Sequence, residues 1–207
     1  FEREHLAYGI PFHTKKERAA RLDEALQVIK ALWTEKEATF AGQYYKLDKA
    51  PFMPKPQQQP HPPITIGGQG EKLTLPLVAR YADKWSVPAG FTPEKIAEKI
   101  KALDAACAKV QRDCSTMDKS YQTFLVFSTD PAKVEQAVQM LTRYYTKMTP
   151  DEARRTIIAG TSAAELKQQV QAFIDAGITH FILTERAQPY DRDGLKRFAQ
   201  EVIPAFR

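Results

Sequence analysis

The chain has 207 residues, 43% hydrophobic and 27% charged, enough apolar material for one sizeable globular core. Thirty basic residues against 25 acidic ones leave a formal charge of +5, but the signs interleave, as in Lys95-Ile96-Ala97-Glu98-Lys99, which reads as solvated helix faces and argues against nucleic acid. No apolar run approaches the roughly 20 residues of a membrane helix and no charged-then-apolar leader is present, so a soluble, cytoplasmic protein with no membrane partner is expected.

The chain opens at Phe1 inside Glu2-Arg3-Glu4-His5, with neither cap nor strand ahead of it, and this predicts a piece of a longer domain. Across residues 14–33, Leu22, Leu26, Ile29 and Trp33 fall at helical spacing with charge on the other side. The run Lys15-Lys16-Glu17-Arg18 lacks the aromatic interleaving of a single-strand binder. Residues 39–47, with Phe40, Tyr44, Tyr45 and Gly42, suit a small hairpin or an irregular excursion, and residues 51–63 carry too many prolines for regular structure, predicting a rigid loop over the core.

The most informative stretch, residues 61–85, reads HPPITIGGQGEKLTLPLVARYADKW. Ile64 to Ile66 form a short strand after two prolines, and Gly67, Gly68 and Gly70 make its exit before a helix that closes in Arg80-Tyr81-Ala82-Asp83. Bare amides beside a helix's positive end favour a phosphate, by about 0.3–1 kcal/mol from the dipole alone. Glycines after a strand serve tight turns and close packing equally well, and neither G-x-G-x-x-G nor a P-loop is present. Pro76 fits a helix only near its first turn, so it is accommodated if the helix starts at Thr74 or Leu75, which would leave residues 67–74 as a longer loop.

A strand at residues 85–87 and a turn at Pro88-Ala89-Gly90 follow. Thr92 then caps a helix with Pro93 at its first position and Ile96, Ile100, Leu103, Cys107 and Val110 on one face. Cys107 and Cys114 lack C-x-x-C spacing, so idle or buried thiols are expected rather than a disulfide, and no metal site is predicted. The apolar run within residues 122–128 suits a strand covered on both faces, and Val134, Val138, Leu141 and Tyr145 mark another helix. Ser162-Ala163-Ala164-Glu165 is a capping-box pattern opening a helix that ends at Gly177, before the strand His180-Phe181-Ile182-Leu183 and a last helix stopped by Pro204. Strands near 64, 85, 124 and 181 alternating with helices predict a parallel sheet in an α/β fold. Alternation alone does not separate a doubly wound sheet from a barrel, and four strands make half of an eight-stranded barrel of roughly 250 residues, with two unpaired edges.

Glu2-Arg3-Glu4-His5 with Tyr8-Gly9-Ile10-Pro11-Phe12 resembles the segment after the fourth strand of luciferase-like oxidoreductases. Arg21-Leu22-Asp23-Glu24-Ala25-Leu26 is similar to that family's next helix, and residues 61–70 with Arg80-Tyr81-Ala82-Asp83 to its fifth strand and corner. Gly160-Thr161-Ser162, Asp175-Ala176-Gly177-Ile178 and His180-Phe181-Ile182-Leu183 are similar to its last units. The likeness covers essentially the whole chain and is strongest to the branch using the deazaflavin coenzyme F-420. It implies a single domain over residues 1–207, a TIM-type (β/α)8 barrel present as its C-terminal half, strands five to eight, with residues 134–145 in a helical insertion.

By that resemblance the cofactor phosphate lies on Gly67, Gly68, Gln69 and Gly70, and the chain belongs to an oxidoreductase passing hydride between coenzyme F-420 and a small organic substrate. Two alternatives stand beside it: an FMN-dependent monooxygenase fed by a partner flavin reductase, and an inactive half-barrel acting only by association. The resemblance also allows a homodimer. Catalytic acid-base groups would lie mostly in the first half, so none is assigned here. Of the four histidines, His5 with Glu2 and Glu4 is a candidate border of the cofactor, against a solvated helix start. His13 and His61 read as surface and loop residues, His180 as packed in a buried strand, and Glu185 as a candidate contact at the barrel mouth. The absence of H-E-x-x-H, G-x-S-x-G and carboxylate clusters leaves hydrolase and metalloenzyme readings without support.

Overall fold

The computed structural model describes residues 1–145, 147–185 and 192–206. Helix α1 (Glu2–Ala7) leads into α2 (Lys15–Thr34), where the Thr14 hydroxyl accepts the Glu17 amide at 3.2 Å. Strands β1 (Glu37–Ala41) and β2 (Lys46–Pro51) form the expected hairpin. Its turn is held from α2, because the Glu24 carboxylate accepts the amides of Gln43, Tyr44 and Tyr45 at 2.8, 2.8 and 3.1 Å. Desolvation alone would raise the Glu24 pKa, and those three donors bring it below the ordinary carboxylate value. The proline-rich loop after β2 is mostly exposed, a correction to the loop expected over the core. Lys55 ties it instead to the carbonyls of Leu32 and Glu35 at the end of α2.

Five parallel strands follow: β3 (Thr65–Gly67), β4 (Lys84–Val87), β5 (Asp118–Phe127), β6 (Ile158–Gly160) and β7 (His180–Glu185). Between them run α3 (Thr74–Tyr81), α4 (Pro93–Lys109), α5 (Pro131–Tyr144), α6 (Pro150–Arg154) and α7 (Ala163–Asp175), with α8 (Asp193–Arg197) after β7. Strand β4 pairs with residues 118–121 of β5, β6 with 125–127, and β7 with 120–125. Because β7 overlaps both others along β5, it takes the opposite edge, and β6 sits beyond the end of β4. The four full units are thus ordered β3-β4-β5-β7, in chain order without reversal. Helices α2, α3, α4 and α7 and the π-helical turn Phe198–Val202 touch through α2–α3, α3–α4, α4–α7 and α7–turn contacts, which puts them on one face. Unreversed order with helices on one side is the winding of a barrel rather than of a doubly wound sheet.

The strand faces divide the chemistry. Ile66, Trp85, Val87, Tyr121 and Leu125 point to the helices and are buried in the main core. Thr65, Gly67, Ser86, Gln122 and Ile182 alternate with them on the inner face, and Ile182 is 41% exposed there. His180 shares this face and is exposed, correcting the packed position expected of it. A second core, built on Val126, Val138, Leu141 and Ile157, holds α5, α6 and β6 together as an insertion between β5 and β7. Strand β6 was not anticipated, since three residues show no period, and β5 begins at Asp118 rather than 122. The buried Lys119 hides that start, its ammonium donating to the Cys114 and Met117 carbonyls at 3.4 and 3.1 Å.

A further correction concerns the cysteines. Cys107 and Cys114 form a disulfide with Cα atoms 6.2 Å apart, because the chain reverses after α4, at Gln111 with φ +54°, and returns Cys114 to the last helical turn. Spacing along a helix stripe carries no sign of that return.

The sequence Arg80-Tyr81-Ala82-Asp83 turns out to be a structural joint. The Asp83 carboxylate accepts the Ile64 amide at 2.8 Å, while the Asp83 and Lys84 amides donate to the Ile64 carbonyl at 2.9 and 3.1 Å. Arg80 pairs with Asp23 of α2 at 3.0 Å, and the Tyr81 hydroxyl donates to the same carboxylate at 2.5 Å. Replacing Asp83 with alanine leaves the Ile64 amide without its charged acceptor. Chemical denaturation of Asp83→Ala is expected to show a loss of about 2 kcal/mol, and an unchanged midpoint would remove Asp83 from this role.

Candidate functional site

The glycine corner sits at the C-terminal end of β3, the end at which barrel enzymes build their sites. Gly68 has φ +115°, a conformation that side-chain-bearing residues rarely adopt, and a Cβ there would lie 3.2 Å from Thr74 Cγ2. Both of its backbone groups are committed to β4: its N–H donates to the Ser86 carbonyl at 3.1 Å, and its carbonyl accepts the Trp85 indole N–H at 2.7 Å. The Gly70 carbonyl accepts the Thr74 and Leu75 amides at 2.8 and 2.9 Å, so α3 starts where Pro76 is harmless. Among the described residues, the amides of Gln69, Gly70 and Glu71 have no acceptor in the protein.

Of the four expected corner residues, Gly68 therefore spends its own amide on the strand, and the free donors are Gln69 and Gly70. Gly67 is the last strand residue, and its missing Cβ would meet only the Ser86 carbonyl, at 3.8 Å. Space over Gly67 is open to a ligand rather than filled by the protein.

A cleft of about 600 Å³ runs from Gly67, Gln69 and Gly70 to the first turns of α2, lined by Lys15, Arg18, Lys72 and Lys99. Lys99 pairs with Glu71 in the same cleft, a hydrogen bond that lowers the Glu71 pKa. Arg18 is fixed by a 2.5 Å hydrogen bond to the His13 carbonyl and by the Phe12 ring, 4.1 Å from its guanidinium carbon. Cations and bare amides on one wall match a doubly or multiply charged anion. Sequence reading passed over Lys15, Arg18 and Lys72; the basic run was visible, but the fold that brings it to the glycine corner was not.

None of the other candidates lines this cleft among the described residues, although His5 and His13 adjoin it through Phe12 and the Arg18 hydrogen bond. His5 lies in a helix with no buried residue, bonded to the Phe1 carbonyl at 2.9 Å and edge-on to Phe12 at 5.1 Å, which is a solvated helix start. His13 pairs with Glu17 at 3.1 Å, and His61 bonds the Pro62 carbonyl at 2.9 Å. Glu185 is the final residue of β7, and its side chain lies outside the described residues. No group of three or more potential metal ligands occurs among the described residues, and no helix there is long and apolar enough to cross a membrane.

A second cleft, of about 300 Å³, opens at the ends of β4, β5 and β7 under the last turn of α5, bounded by Ala89, Gln122, Phe124, Tyr144 and Thr184. The Tyr145 hydroxyl latches that turn by donating to the Ala89 carbonyl at 3.0 Å.

Two stability measurements separate the roles of the corner glycines. Gly68→Ala is expected to cost about 1–2 kcal/mol from backbone strain, whereas Gly67→Ala stays within about 0.5 kcal/mol of wild type; equal losses would contradict the geometry. At alkaline pH the joint between α2 and α3 has its own signature. Burial and the hydrogen bond to Asp23 raise the Tyr81 pKa to about 12. Its folded state keeps the proton that the unfolded chain releases near pH 10, so its contribution to stability is complete below pH 10 and fades toward pH 12. Tyr81→Phe is expected to flatten this part of the stability–pH curve; an unchanged slope would show that the hydroxyl is not buried against Asp23.

Comparison with known proteins bears on the whole chain. The profile described as luciferase-like monooxygenase matches residues 1–197. Curated relatives include an F-420-dependent glucose-6-phosphate dehydrogenase from Kineococcus radiotolerans, 27% identical over 97% of this chain and 64% of its own length. Another of the same name, from Intrasporangium calvum, is 25% identical over 97% of this chain and 65% of its length. The chain thus spans somewhat less than two thirds of these relatives. Among solved structures, an F-420-dependent secondary alcohol dehydrogenase bound to an F-420–acetone adduct superposes with a TM-score of 0.81 at 22% identity, covering 95% of this chain and 64% of that one. The coenzyme F-420-dependent tetrahydromethanopterin reductase of Methanopyrus kandleri gives 0.81 at 16% identity, covering 100% and 72%. Both share the fold.

Proposed function

The chain belongs to the luciferase-like monooxygenase family, and from that premise we propose that it is the cofactor-holding part of an oxidoreductase dependent on coenzyme F-420. Its four consecutive strands β3, β4, β5 and β7 stand for strands five to eight of a (β/α)8 barrel within a single domain, the remaining strands lying outside these 207 residues. The observation carrying the reading is the bare Gln69 and Gly70 backbone beside Lys15, Arg18 and Lys72. Relatives named for F-420 along 97% of the chain support it.

The corner fits the phosphate of such a cofactor. Gln69 and Gly70 amides would donate to it, Gly67 would let it approach, Gly68 would hold the bend, and the three cations would balance its charge. When bound, F-420 supplies a carbon centre that accepts or releases hydride. The protein's part is to fix the anionic end, keep the inner strand face open toward the ring, and seat a small organic substrate near the strand ends. No catalytic acid or base is assigned to these residues. The reading places the enzyme in the cytoplasm and leaves room for a homodimer.

Titrating the intact protein that contains this chain with F-420 and with FMN, followed by cofactor fluorescence, tests the proposal. F-420 is expected to bind more tightly than FMN, and Gly67→Ala to weaken F-420 at least tenfold, about 1.4 kcal/mol, with an unchanged melting temperature. Tighter binding of FMN would favour the flavin monooxygenase, and binding of neither would end the proposal.

A further inference from the structure

We infer that the cleft beneath the last turn of α5 is the substrate pocket and that it selects neutral, largely apolar molecules rather than phosphorylated sugars. The inference rests on the oxidoreductase reading and deepens it by naming the substrate class. Three observations carry it.

The first is the lining. Pro88, Phe124, Met140, Leu141 and the rings of Tyr144 and Tyr145 form most of the wall, and the described lining residues include no charged side chain. The Tyr145 hydroxyl is already committed to the Ala89 carbonyl at 3.0 Å. Polar side-chain functions on the lining come from the Gln122 amide and the Thr184 and Tyr144 hydroxyls, all neutral, enough to orient a hydroxyl or carbonyl group. Among the described lining residues a phosphate would meet no cation in exchange for its lost water, which is costly, whereas an apolar body gains contact.

The second is charge segregation. Lys15, Arg18 and Lys72 stand at the end of β3, beside α2. The apolar cleft is at the ends of β4, β5 and β7. From β3 to β5 is two inter-strand spacings, about 10 Å. Among the described residues, the cations thus gather at the β3 end, and the lining of the second cleft is uncharged.

The third is that the roof is built and held. The ends of α5 and β4 are joined by the Tyr145–Ala89 bond, and the Tyr145 ring lies against Gly90, where a Cβ would come within 3.1 Å of Cζ. The α5 insertion has its own core, so the roof is packed from its own side as well as latched to β4. Tyr144 stacks edge-on against Tyr145, with ring centroids 4.9 Å apart, and remains 67% exposed.

Equilibrium binding to the intact protein, measured by calorimetry with cyclohexanone, acetophenone and glucose 6-phosphate in parallel with an F-420 titration, tests this. The neutral ketones are expected to bind at least tenfold more tightly than glucose 6-phosphate. Tyr144→Ala, at an exposed position, and Thr184→Val, close in volume, are each expected to weaken the ketones about fivefold while leaving F-420 affinity unchanged. Equal or tighter binding of glucose 6-phosphate, or ketone affinity unmoved by both substitutions, overturns the inference. If F-420 fails to bind while the ketone preference and its loss in the variants persist, the pocket stands and the cofactor reading falls.

Discussion

The bend after β3 is held by the neighbouring strand rather than by itself. Gly68 gives its N–H to Ser86 and its carbonyl to the Trp85 indole, and Trp85 is itself fully buried in the core. Packing on the helical side of the sheet therefore sets the backbone bend after β3. With Gly68 tied down, the next two amides are left without acceptors among the described residues, in a cleft that Lys15 and Arg18 of α2 also line. Asp83 fixes the other end of the same strand by exchanging hydrogen bonds with Ile64, so the short β3 is clamped at both ends. A three-residue strand gains little order from its own ladder, and these clamps supply the rest.

The strand faces then sort the functions. Apolar outward residues pack under α3, α4 and α7, while the inner face carries Thr65, Ser86, Gln122, His180 and Thr184. At the N-terminal ends of β4 and β5, Lys84 and Asp118 pair at 3.1 Å, and that hydrogen bond lowers the Asp118 pKa. Both clefts open toward the opposite ends of the strands, the ends at which barrels build their sites.

Much of this was legible in the chain. Thr92 with Pro93 announced α4, and its hydroxyl does accept the Lys95 amide. Ser162 and Glu165 announced α7, although the Glu165 carboxylate takes the Thr161 amide rather than that of Ser162. Caps are local, so a few residues suffice to reveal them. What stayed hidden was set by tertiary contact. The short β6 carries no period, Lys119 looks like a surface residue until its carbonyl partners are known, and Cys114 meets Cys107 only after a chain reversal. At the site, the glycines were visible in the sequence, whereas the division of labour among them was not. Whether Gly68 offers its amide to a ligand or to Ser86 depends on where β4 lies.

The central claim is that unpaired main-chain N–H groups at Gln69 and Gly70 receive the anionic end of the cofactor. Backbone amide resonances of the intact, isotope-labelled protein, recorded with and without F-420, test it most directly. The account predicts that the Gln69 and Gly70 signals move on binding while that of Gly68, already bonded to Ser86, moves far less. Saturating cofactor that leaves Gln69 and Gly70 where they were, with shifts clustered elsewhere, would contradict it.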